Sequence, residues 1–161
     1  MSYILVADRT ADADVVWPAL YVASGSFAWY VIVVGLLLEY PFAKFITGAS
    51  WRSAWEPTVV MNLASTLAGA VFIPIAGIAW EVFPGSLIHE VTHTGTFNPY
   101  TWIATFVMAV VINSGIEALV LKRLFQAPRL LAAFAWLLPA NACSVALAFF
   151  AIRAQLIGFA W

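Results

Sequence analysis

Two polar constellations stand out in an otherwise apolar chain. Glu39, Lys44, Asn62 and Ser65 recur as Glu117, Lys122, Asn141 and Ser144, offset by 78 residues for the Glu and Lys and by 79 for the Asn and Ser. Lys44 and Lys122 are the only lysines in the sequence, so their shared spacing from a glutamate points to an internal duplication. A carboxyl group surrounded by amide and hydroxyl groups inside a membrane can bind a proton or a cation. The same groups can instead hold helices together, at about 0.6 kcal/mol per interhelical hydrogen bond and near 2 kcal/mol at most. Glu39 and Asn62 are nearly equidistant from a turn near Ser50, and Glu117 and Asn141 from a turn near Pro128. Each Glu is therefore expected to face its own Asn across an antiparallel hairpin, roughly 10–18 Å in from the turn at about 1.5 Å of rise per residue. Ser65 and Ser144 follow on the same helix face as each Asn. Each Lys is more than a turn from its Glu and is expected to snorkel to the inner headgroups.

The second candidate is His89-Glu90-Val91-Thr92-His93, which holds both histidines of the chain. Imidazoles at i and i+4 share a helix face and can chelate one zinc ion, while the intervening carboxylate activates a water. Ser86 is placed to cap such a helix and Gly95 to end it. This stretch resembles the zincin metalloprotease helix over five residues of 161. The resemblance implies His89 and His93 as metal ligands and Glu90 as the general base. Glu81, or an acid of the N-terminal arm, is the third ligand within reach. Glu117 would lie roughly 27 Å down a helix from the motif.

Those side chains need elements to position them, and composition says which. The chain is 64% hydrophobic and 9% charged. Soluble domains carry about 25% charged residues, so this one cannot cover a water-facing surface, and its solvent is lipid. A net charge of −1 leaves no footprint for nucleic acid. The single cysteine, Cys143, allows neither a disulfide framework nor a cysteine metal site and reads as a small buried residue. The acidic N-terminal stretch from Asp8 to Asp14 does not resemble a cleaved signal peptide.

Four stretches are long and apolar enough to cross a bilayer: about 18–42, 57–80, 99–121 and 130–152. Short turns at Thr47–Ser50 and Gln126–Pro128 pair them as two hairpins, with 81–98 as the connecting outer loop. The expectation is one all-α integral membrane domain over residues 1–161. It holds four transmembrane helices as two parallel helical-hairpin repeats, about 18–80 and 99–157. Asn98 and Pro99 mark the start of the third span, and Pro74 and Pro139 lie inside spans. Lys44, Arg52, Lys122, Arg123 and Arg129 cluster at the two turns, which predicts cytoplasmic turns and outward N- and C-termini in a bacterial-type inner membrane. Tyr40, Phe42, Trp51 and Trp55 are placed for the inner interface. Trp17, Tyr21, Trp80, Tyr100, Trp102 and Trp161 are placed for the outer one.

With little chain outside the membrane to build a substrate cleft, the sequence points first to a non-enzymatic structural or accessory subunit. Its partners would be lipids and other membrane subunits or further copies, with no nucleic acid, no assured cofactor, and zinc as the possible one. A zinc-dependent membrane hydrolase using the His pair and a small transporter or proton-path protein using Glu39 and Glu117 are the alternatives.

Overall fold

The computed structural model of the chain describes residues 29–95 and 98–158, with side chains as far as Ala151. The aromatic and acidic positions before Trp29, the side chain of Arg153 and Trp161 lie outside the described residues. Everything regular that is described is helical: α1 Trp29–Thr47, α2 Trp55–Trp80, a π-helical turn Glu81–Gly85, α3 Ser86–Thr92, α4 Pro99–Leu124 and α5 Leu130–Gly158. The four long helices are each apolar and long enough to span a membrane. Helix is the form a chain of this composition must take in lipid, because it satisfies every backbone donor and acceptor within its own segment.

The helices are packed in a ring. α1 neighbours α5 and α2, and α4 neighbours α2 and α5. α1 lies most loosely against α2, although the two are joined by the shorter path through the first turn. Buried residues repeat at four-residue intervals: Val31, Gly35, Glu39 and Ala43 on α1, and Met61, Ser65, Gly69, Ile73 and Gly77 on α2. The inward faces of α4 and α5 are likewise built largely from small residues such as Ala109, Ser114, Ala118, Ala133, Ala140 and Ala148. Large side chains point outward, Leu67 61% and Leu131 81% exposed among them. This inversion suits a bilayer: lipid is as apolar as leucine, so close backbone approach and polar contacts, not hydrophobic burial, bring spans together. Cys143 follows the outward set. It is exposed, which corrects the expectation of a buried cysteine.

The turns explain themselves locally. α1 ends where Gly48 takes φ +68° and donates its N–H to the Lys44 carbonyl at 2.9 Å. At the second turn Gln126 adopts φ 56°, and the Ala127 N–H reaches the Leu121 carbonyl at 3.0 Å. α4 starts as the sequence predicts: Asn98 Oδ1 accepts the Thr101 N–H at 2.9 Å, with Pro99 in the first turn. Pro74 and Pro139 lie within α2 and α5 without interrupting them, as does Pro41 within α1.

The connection expected as a loop over 81–98 is different. It continues α2 through the π-helical turn into α3, so that Trp55–Thr92 forms one helical run of 38 residues. Ser86 does not cap a new helix there. Its hydroxyl donates back to the Val82 and Phe83 carbonyls, at 3.2 and 2.9 Å. The run ends one residue before His93, which adopts a left-handed φ of 52°, and not at Gly95.

Candidate functional site

Two of the predicted acids are buried side chains of the bundle. Glu39 on α1 is 2% exposed and Glu117 on α4 is 1% exposed. They sit about 12 Å and 10 Å from the turn ends of their helices, counting 1.5 Å per residue to Thr47 and Leu124. Both line one cavity.

Their serine partners come from α2 and α5. Ser65 of α2 donates to Glu117 Oε1 at 2.7 Å, and Ser144 of α5 donates to Glu39 Oε1 at 2.7 Å. Each serine hydroxyl thus bonds the glutamate of the other constellation, an exchange that depth-matching in the sequence did not anticipate. Within the second hairpin Asn141 Nδ2 donates to Glu117 Oε2 at 2.6 Å. Glu117 therefore has both oxygens occupied.

Glu39 does not. Asn62 Nδ2 donates to the Thr58 carbonyl at 2.9 Å. Oε2 of Glu39 is buried and has no hydrogen-bond partner among the described residues. The two sets share residue types but differ in completeness: Glu117 has a donor on each oxygen and Glu39 on one.

A cavity of about 320 Å³ lies beside both groups. Glu39, Asn62, Ser65, Glu117, Asn141 and Ser144 all line it. So does Asn113, one turn before Glu117 on the same face of α4, which the sequence reading missed; the four-residue spacing to Glu117 is the signal that finds it. Asn113 Oδ1 is also buried without a partner among the described residues. Its room comes from Gly69, where an added Cβ would lie 2.9 Å from that oxygen. The 78-residue offset that relates the glutamates relates Asn113 to Gly35, which also lines the cavity and sits against Ser144. A polar side chain in one half thus corresponds to no side chain in the other, and the space left belongs to the cavity.

The lysines lie away from the acids. Lys44 Nζ lies 4.6 Å from the ring centroid of Trp51, in a cluster where Tyr40 stacks on Trp55 at 4.4 Å and donates to the Trp51 carbonyl. Lys122 Nζ reaches the Pro128 carbonyl at 3.4 Å. Each cation is held at its own turn.

The histidine motif lies at the far end of α3. His89 Nε2 meets Glu81 Oε2 at 3.0 Å and Nδ1 meets the Thr94 carbonyl at 2.5 Å, so both ring nitrogens face protein oxygens. His93 and Glu90 are exposed. Among the described residues no three His, Cys, Asp or Glu side chains gather as a metal site would need. Gly85 lets Glu81 approach: an added Cβ there would lie 3.0 Å from the Trp80 carbonyl oxygen and 3.2 Å from Glu81 Oε2.

Comparison of the chain with protein-family models, with curated proteins and with solved structures gives no match.

Proposed function

We propose that this is a small transporter or proton-path protein whose working group is the Glu39 carboxyl, with Glu117 as its fixed partner. The observation that carries the reading is the unpartnered, buried Oε2 of Glu39, a residue that lines the cavity. Interhelical glue would use its polar atoms up within the bundle, as Glu117, Ser65 and Asn141 do. A buried acid left half free is costly, and intramembrane acids of that kind mark ion and proton sites. The packing-subunit role predicted from sequence has no comparable observation behind it. The zinc-hydrolase role is disfavoured by the oxygens that face both nitrogens of His89.

The remaining organisation belongs to the same proposal. Two parallel helical-hairpin repeats are related by a pseudo-twofold axis along the membrane normal, and the reciprocal Ser65–Glu117 and Ser144–Glu39 bonds support that relation. The turns, carrying Lys44, Arg52, Lys122, Arg123 and Arg129, face the cytoplasm of a bacterial-type inner membrane, with both termini outside. Lipid, and further copies or other subunits, cover the outward apolar faces.

Reconstitution tests the function directly. In proteoliposomes under an imposed pH gradient, the wild-type protein should carry protons or a monovalent cation, and Glu39→Gln should reduce that flux to the level of empty vesicles. Equal flux in the two proteins would sink the assignment to Glu39.

A further inference from the structure

The outward stripe of α2 does not stop where the span does. From Val59 to Ala79 every fourth residue is apolar and exposed. Phe83, Leu87 and Val91 carry the same interval through the π-helical turn and α3, and they too are exposed. The inward stripe also continues. In the span it meets α4, through Ser65 at Glu117 and Gly69 at Asn113. Beyond Trp80 the same interval brings Glu81, Gly85 and His89, and the Glu81–His89 contact at 3.0 Å closes that side on itself. The extension is therefore amphipathic in the register of the span: apolar where the span faces lipid, polar where the span faces the bundle.

Length places this extension at the membrane surface. The 26 residues of Trp55–Trp80 measure about 39 Å, already more than a hydrocarbon core of about 30 Å. The five residues of the π-helical turn and the seven of α3 carry the run about 18 Å further. Upright, the Phe83–Leu87–Val91 face would stand in water, and among the described residues the main packing of α3 is against the π-helical turn. The far end is tied to the start of the α4 span, where Asn98 Nδ2 donates to the Gly95 carbonyl at 2.8 Å. That tie holds it close to the membrane. A lean away from the bundle turns the outward stripe down onto the leaflet and lifts the Glu81–His89 side into water. One motion thus covers the apolar side chains and solvates the polar ones.

We propose that the Glu81–Thr92 end of the run is an interfacial anchor whose partner is the lipid leaflet at that end of the bundle. Phe83, Leu87 and Val91 sit among the acyl chains just under the headgroups, and Glu81 and His89 face water. No Lys or Arg lies between Glu81 and Asn98, so apolar area alone makes the seat, and it takes zwitterionic and anionic lipid alike. The anchor goes beyond the role of Glu39 and does not depend on it.

The test uses the full chain with Cys143→Ala in phosphatidylcholine nanodiscs. A fluorescent label is placed singly by Ser86→Cys, Leu87→Cys, Glu90→Cys or Val91→Cys. Neighbours in each pair share a position along the run but lie about 100° apart around it, and the second pair decides the matter if a variant of the first does not fold. A lipid carrying a nitroxide near its headgroup should quench the labels at 87 and 91 about threefold or more above those at 86 and 90, and aqueous iodide should do the reverse. Replacing part of the phosphatidylcholine by phosphatidylglycerol should leave this pattern unchanged. Equal iodide quenching at all four positions would mean that the extension stands in water, and would overturn the anchor. Protection of 87 and 91 from both quenchers would overturn it in favour of a protein cover, the N-terminal segment or a second copy. Nitroxide quenching that appears only with phosphatidylglycerol would overturn a seat made by apolar area.

Discussion

At the scale of single residues, the site is a set of paired acceptors and donors with two acceptors left over, Glu39 Oε2 and Asn113 Oδ1. Ser65 and Glu117 are in direct contact, so their effects should not add. In a double-mutant cycle of Ser65→Ala and Glu117→Gln, read by reversible unfolding in mixed micelles, the coupling should fall between about 0.6 and 2 kcal/mol. Additive losses would mean that the bond contributes nothing to stability in the membrane. The polar residues themselves were legible in the sequence, because an acid or an amide is conspicuous among leucines and alanines. Their pairing was not. Counting from a turn gives depth along a helix, and depth places Asn141 beside Glu117; it says nothing of rotation about the helix axis, which turns Ser65 and Ser144 toward the opposite hairpin. Asn113 does not recur, because Gly35 stands at the position 78 residues before it, so a repeated pattern does not reveal it.

At the scale of elements, the four long helices were readable from hydropathy and length, with boundaries a few residues off where turn residues join the helix. α1 continues to Thr47 because Pro41 is accommodated within it, and α4 continues to Leu124. The segment after Trp80 reads as a loop in the sequence and is helical in the structure. Glu81, Pro84 and Gly85 look like punctuation, yet the π-helical turn accommodates Pro84, and the tight space around Gly85 lets the chain carry on into α3. Packing between elements depends on the buried small residues, and one substitution separates that role from hydrophobicity. Gly69→Leu on α2 drives a side chain at Asn113 of α4 and should cost about 1–3 kcal/mol. Leu67→Phe, two residues earlier and facing outward, should stay within about 0.5 kcal/mol of the wild type. Equal costs in unfolding measurements would mean that α2 does not pack through its glycine face.

At the scale of the whole molecule, orientation in the bilayer sets which side each end of the bundle serves. With Cys143 replaced, single cysteines at Ser50 and Gln126 should be shielded from an impermeant label added outside intact cells. One at Gly95, where a side chain meets open space, should react. The reverse pattern would invert the bundle. The continuous run from Trp55 to Thr92 adds a constraint of length. Its 38 residues measure about 57 Å, against a bilayer of about 40–45 Å with its headgroups included. Val82, Phe83, Leu87 and Val91, on the surplus, are exposed and apolar. To keep them out of water the rod must lean by about 40°, at the limit of ordinary spans, or bend at its π-helical turn. α2 is then a strut cut too long for its frame. A thicker membrane lets it stand straighter and a thinner one lays it down. α2 also lines the cavity beside α1, so the tilt that the bilayer imposes on it is a tilt of one cavity wall.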